Sequence, residues 1–170
     1  MKPEAIVYTS NTGYTAQYAA LLGNHTGLPV YSLLEARKRL TRGSTFLYLG
    51  WLMAGRVQGY AKAAKCYRIA ALCGVGMGLT GSQLQDVRQA NRIPAELPVF
   101  TLQGGFELNK LHGIYRLMMT MMAKTAGKGL ADKKDRTPEE DAMLELLLQG
   151  GSRVRSENLT AVTAWYDHEN

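Results

Sequence analysis

Apolar residues come along this chain in short runs that alternate with stretches of helical period. The run at 5–9 (AIVYT) is continuous and β-favouring, the pattern of a strand covered on both faces. The next stretch, 14–27 (YTAQYAALLGNHTG), places Ala16, Ala19, Ala20 and Leu22 where a helix packs them on a sheet. Further apolar runs predict strands at 28–33, 45–50, 67–74 and 98–102. Short helices are predicted between them at 57–66 and at 82–93, the second stopped by Pro94. From residue 107 onward the pattern turns helical, with helices predicted at 107–127 and 137–149 and a short one near 157–166. Thr137 as N-cap, Pro138 at the first helical position and Glu139 and Glu140 in the first turn mark a helix start. The intervening 127–136 (GKGLADKKDR) reads as a polar linker.

Five strands with intervening helices imply an α/β protein built on a parallel sheet with helices on both faces, because parallel crossovers need helices. The 170 residues suit a single domain, with a helical C-terminal extension from about 107. Ligands of such sheets sit beyond the carboxyl ends of the strands. That directs attention to the loops at 10–15, 50–57, 73–83 and 103–107.

The first of these, Ser10-Asn11-Thr12-Gly13-Tyr14-Thr15, runs from a strand straight into a helix and carries hydroxyls and an amide without a charge. A helix N-terminus offers unpaired N–H groups and the positive end of the macrodipole, which together suit a phosphate. Ser10, Thr12 and Thr15 add hydroxyl donors, Asn11 an amide, and Gly13 permits close backbone approach. Without a lysine the loop is not a nucleotide-triphosphate loop. Neutral donors suit a single terminal phosphate. The plainer reading is that Ser10 or Thr12 caps the helix.

These six residues resemble the phosphate loop of the flavodoxin family, S/T-x-T-G-x-T after the first strand. The resemblance extends in element order over about the first 105 residues. The segment from Pro98 to Lys124 (PVFTLQGGFELNKLHGIYRLMMTMMAK) is similar to the end of the branch that includes the menaquinone-dependent protoporphyrinogen oxidases. This chain lacks the aromatic-rich, strongly basic insertion that the branch carries before its last strand. The resemblance implies a doubly wound five-stranded parallel sheet of order 2-1-3-4-5 and FMN as cofactor. The FMN phosphate would lie in the first loop and its ring between the loops after strands three and four. It implies redox electron transfer or flavin-dependent oxidoreduction in the cytoplasm, with a redox partner protein or a quinone-like small molecule. The alternative is a flavodoxin-fold interaction module that has lost its flavin.

For the ring the candidates after strand three are Gly50, Trp51, Leu52, Met53, Ala54 and Gly55. Trp51 is the aromatic best suited to stack, Met53 is a polarisable alternative, and the glycines admit backbone to the ring edge. After strand four they are Gly74, Val75, Gly76, Met77 and Gly78. The run Gly76–Gly81 matches G-x-G-x-x-G, but a dinucleotide fingerprint belongs to the first strand and wants an acidic residue at a following strand end. A glycine-rich loop presenting N–H groups to the flavin edge fits better.

Leu108, Leu111, Tyr115, Met118 and Met122 form an apolar stripe at helical spacing, which Leu117, Met119 and Met121 widen. A core helix, a homodimer surface through 108–124, a hydrophobic substrate mouth and peripheral contact at the inner membrane face all remain open. His112 is expected at the surface.

The formal charge of +6 comes from scattered basic residues and reads as a solvated surface, so no nucleic-acid partner is expected. Cys66 and Cys73 make no disulfide framework, and no leader or membrane span is evident. No metal spacing and no nucleophile–base set stands out. Flavin chemistry needs neither.

Overall fold

The computed structural model describes residues 1–111 and 113–169; His112 lies outside the described residues. The first part alternates strands and helices: β1 (Ala5–Thr9), α1 (Tyr14–Thr26), β2 (Val30–Ser32), α2 (Leu33–Arg39), β3 (Thr45–Met53), β4 (Arg56–Val57), α3 (Tyr60–Ala64), β5 (Arg68–Gly76), α4 (Leu84–Asn91) and β6 (Val99–Gln103). The second part holds β7 (Gly105–Phe106), α5 (Gly113–Asp132), α6 (Pro138–Gln149), β8 (Gly151–Ser152) and α7 (Thr160–Glu169). The central sheet has the order β2-β1-β3-β5-β6, all parallel, with β4 added antiparallel on β3. The chain is thus an α/β protein with a mostly parallel central sheet.

Strand alternation sends side chains to two cores. Ala5, Val7, Phe46, Tyr48 and Leu72 meet α2, α3 and α4 on one face, through Ala36, Tyr60, Ala63 and Val87. Ile6, Leu47, Leu49, Ala71, Cys73 and Val75 meet α1 and α7 on the other, through Tyr18, Leu22 and Val162. Ile69 and Leu72 share a face although three positions apart. The β3–β5 register shifts between Phe46 and Leu47, pairing them with Ile69 and Ala71, so Ala70 is absorbed as a bulge.

The structure departs from the sequence expectations at several ends. β3 runs through Met53 and β5 through Gly76, so Trp51, Leu52, Met53, Val75 and Gly76 are strand residues, not loop. The chain then turns at Ala54 (φ 48°) and Gly55 (φ 73°), a two-residue turn with both centres left-handed, and pairs Leu52 with Val57 and Met53 with Arg56. Helix α2 was not anticipated. Its start is a capping box, in which Ser32 Oγ accepts from the Glu35 N–H and the Glu35 carboxylate accepts from the Ser32 N–H. The expected linker at 127–136 is mostly helix, since α5 continues to Asp132. The expected helix start at 107 is instead a 3-10 turn, Leu108–Lys110, ahead of α5. Thr137 does cap α6, in a second capping box with Glu140.

The C-terminal part is tied back to the sheet. β7 pairs with β8, and the Arg153 N–H donates to the Gly104 carbonyl at 2.6 Å. The Asn158 amide donates to the Tyr18 hydroxyl (2.6 Å) and to the Arg153 carbonyl (2.9 Å), while Tyr18 donates to the Gln103 carbonyl. Among the described residues no helix is long and apolar enough to cross a membrane.

Candidate functional site

A cavity of about 550 Å³ opens at the carboxyl ends of β1, β3 and β5, a size usual for small-ligand sites. One end is the loop into α1. Asn11, Thr12 and Thr15 line the cavity, and their side chains hydrogen-bond to no other described residue. The N–H groups of the first turn of α1 have no partner inside the helix and carry the positive end of its dipole. The plainer alternative, a helix cap by Ser10 or Thr12, does not hold. The residue before α1 is Gly13, at φ 91°, and no side chain caps the helix; Ser10 Oγ accepts from the Gly13 N–H at 3.1 Å and so shapes the loop instead. Ser10 and Gly13 do not line the cavity.

Tyr14 is buried beneath the C-terminal part, its ring against Gly105 and its hydroxyl donating to the Gly151 carbonyl at 3.5 Å. Lys110 lies over the Tyr14 ring, 5.1 Å from its centroid, and pairs with Glu107 at 2.6 Å. Burial, and then the Glu107 carboxylate, push the Tyr14 phenol above its ordinary range. The hydrogen bond to Glu107 raises the Lys110 ammonium. The pair is electrically neutral, and of its two members only Glu107 lines the cavity.

The β3–β4 hairpin forms one long wall, with Trp51, Leu52, Met53, Ala54 and Gly55 on the cavity. It folds over the sheet end because three strand positions lack a side chain. A Cβ at Gly50 would lie 2.6 Å from the Gln58 carbonyl oxygen, and one at Gly74 or Gly76 would lie 3.0 Å from a Leu52 methyl. Gly50 and Gly74, expected to face the ligand, instead receive the hairpin and do not line the cavity. Asn91 fixes the tip: its amide donates to the Gly55 carbonyl at 2.8 Å and its carbonyl accepts from the Val57 N–H at 2.9 Å. Trp51 meets Tyr115 edge-on, with ring centroids 5.7 Å apart and planes at 87°.

Beside it, on the strand paired with β3 through Trp51 and Val75, the wall continues with Val75, Gly76, Met77 and Gly78, joined by Gln83 and Asp86. β6 braces this loop. The Thr101 hydroxyl donates to the Ser82 carbonyl, the Gly81 N–H to the Thr101 carbonyl, and the Gln103 amide to the Met77 carbonyl. Cys73 lies wholly buried in the sheet, where burial pushes its thiol far up, so it is a packing residue and not a redox thiol.

The lid was not legible as such. Leu111 reaches the cavity from the end of the 3-10 turn, Tyr115, Met118, Met119 and Met122 from the first half of α5, and Met143 from α6. Phe106 and Glu107 close the end near Tyr14. Of these the sequence stripe contained Leu111, Tyr115, Met118, Met119 and Met122 but could not say what it faced. Gln83 and Glu107 lie in the strand-end loops 73–83 and 103–107 without being singled out, while Asp86 and Met143 carried no local signal. Among the described residues no group of His, Cys, Asp and Glu is placed to hold a metal.

No protein-family model, no curated protein and no solved structure matches this chain. Fold and site therefore define its class alone: an α/β protein with a mostly parallel sheet and a ligand-sized cavity at the strand ends. The cavity has free hydroxyls at one end and an apolar slot beyond.

Proposed function

We propose that the cavity is an FMN site and that the chain is a flavodoxin-like redox protein. One observation carries this reading: the loops after β1, β3 and β5, separately marked in the sequence as phosphate and ring loops, line one cavity. Strand order supports it as well, since the five parallel strands follow the flavodoxin order once the two-residue β4 is set aside.

The residues present fit the group. Asn11, Thr12, Thr15 and the first-turn N–H groups of α1 donate to the phosphate. The apolar side chains of Leu52, Met53, Val75 and Met77 give a flat ring a surface to lie against at the sheet end. The loop Gly76–Gly78 brings backbone, unscreened by side chains, to the ring edge. FMN, when bound, supplies one- or two-electron chemistry, and no side chain need act as nucleophile or base. The methionine-lined lid favours an apolar, quinone-like molecule over a protein as the species that exchanges electrons there.

The test is the visible spectrum of freshly purified protein, followed by titration of the colourless fraction with FMN. Flavin absorbance, or saturable 1:1 uptake of FMN, is expected. Colourless protein that takes up no FMN would overturn the proposal and leave an interaction module on the same fold.

A further inference from the structure

Bases that look scattered along the sequence collect on one face of the fold. Between Leu33 and Arg92 stand ten lysines and arginines against two carboxylates, Glu35 and Asp86, a net charge of +8. The rest of the chain carries −2, so this stretch accounts for the overall +6. Its helices α2, α3 and α4 pack on the same side of the sheet, through Ala36, Tyr60, Ala63 and Val87. None of the ten bases has an ion-pair partner among the described residues. Such a face concentrates small anions from solution.

A second cavity, of about 580 Å³, opens within this face between the β4–α3 connection and the end of α4. Arg56, Lys62 and Arg92 line it from three separate elements, and no carboxylate does. All three are exposed, so a solute reaches them, and none of their side chains hydrogen-bonds to another described residue. Arg92 holds its place at φ 51°, a left-handed cap position that glycine or asparagine fills more readily. The turn therefore does not ask for an arginine. Tyr60 lines the same cavity; it is only 8% exposed, and its hydroxyl bonds to no other described residue. Two guanidinium forks, an ammonium and a hydroxyl around one hollow suit a phosphate, whose several oxygens accept from them together.

We infer that this second cavity binds a small phosphorylated molecule by its phosphate, with Arg56, Lys62 and Arg92 as the contacts. Its volume leaves room for more than the phosphate, so the ligand is an organic phosphate or diphosphate. The site is separate from the loop into α1, because Asn11, Thr12 and Thr15 line the strand-end cavity and not this one. The two cavities share a hairpin. Met53, Ala54 and Gly55 line the first and Arg56 and Val57 the second. Asn91, which also lines the second, bonds to both Gly55 and Val57. An occupant there braces the wall of the strand-end cavity from its other side.

Isothermal titration calorimetry of cofactor-free protein with inorganic pyrophosphate tests this, whether or not FMN binds elsewhere. One saturable site is expected. Arg92→Gln and Lys62→Gln should each weaken it at least about tenfold, since each removes a charge-assisted hydrogen bond. Both positions are exposed, so the melting temperature should not change. Lys38→Gln on the same face, and Thr12→Ala with Thr15→Val in the first loop, should leave the affinity unaltered. An absence of saturable binding, or an equal loss with Lys38→Gln, would overturn the inference. Loss confined to the loop variant would put the pyrophosphate in the strand-end cavity and overturn it as well. Tighter binding of a single-stranded oligonucleotide, weakened equally by Lys38→Gln and Arg92→Gln, would overturn it in favour of an extended polyanion surface.

Discussion

The side chain of Asn91 holds the backbone of Gly55, its amide 2.8 Å from the Gly55 carbonyl, so helix α4 fixes the tip of the hairpin that walls the cavity. The same side chain accepts from the Val57 N–H and donates to the Val87 carbonyl, which leaves it no freedom to turn. Asn91→Ala strips two polar groups of the hairpin of their partners and should lower stability by about 2 kcal/mol. Hydrogen exchange at the Val57 amide should accelerate by more than that of the β1 amides. Equal acceleration in both would mean that Asn91 supports the fold generally and not the hairpin.

The loop into α1 allows a cleaner separation of binding from folding. Thr12 and Thr15 hydrogen-bond to no other described residue through their hydroxyls, so Thr12→Ala with Thr15→Val leaves no protein donor or acceptor stranded. Melting should change little, while FMN affinity should fall by about tenfold for each lost hydrogen bond. Unaltered FMN affinity in the double variant, read by fluorescence quenching, would remove these hydroxyls from the phosphate site.

Tyr48 makes alkaline stability a readout of the core. Its hydroxyl donates to the Gln58 carbonyl at 3.0 Å and contacts Thr9 Oγ1 at 3.3 Å, and burial pushes its pKa up to about 12. The unfolded chain ionises near 10, so the unfolded state loses its proton first as pH rises. The contribution of the neutral phenol is complete below about pH 10 and is lost between there and about pH 12. Burial raises Tyr14 and Tyr18 in the same direction. Urea midpoints should therefore decline steeply above pH 10, and Tyr48→Phe should be less stable at neutral pH but show a shallower alkaline decline. An identical slope in the variant would exclude Tyr48 as the cause.

The Tyr18–Asn158 contact predicts how the C-terminal part is held. The Asn158 amide satisfies the buried Tyr18 hydroxyl and the Arg153 carbonyl together. Asn158→Leu should destabilise by about 1–3 kcal/mol, because the Arg153 carbonyl loses its nearer donor, keeping only the Tyr18 hydroxyl at 3.5 Å, and the buried tyrosine loses an amide partner. Limited proteolysis should cut first between β8 and α7. Cleavage elsewhere would show that the β7–β8 ladder alone secures this segment.

Much of this protein was legible in its residues. The five parallel strands announce themselves because strands covered on both faces must be apolar throughout, and the cap at Thr137 is local chemistry, whereas the equally local capping box at Ser32 went unread and α2 with it. The loop Ser10–Thr15 is equally local, since its hydroxyls adjoin the helix that would present them. Strand ends were misjudged where local pattern stops deciding. Trp51, Leu52 and Met53 look like loop after Gly50, yet they stay in the sheet because Gly74 and Gly76, more than twenty residues away, leave room for Leu52. The same holds for the lid. A helix pattern records that Met118 and Met122 are apolar, but only the return of the chain through β7 and β8 sets them over the cavity. Periodicity and capping act within a few residues and so are written in the sequence. Which apolar face meets which wall, and where Lys110 finds Tyr14, depend on contacts between distant segments that only the folded chain brings together.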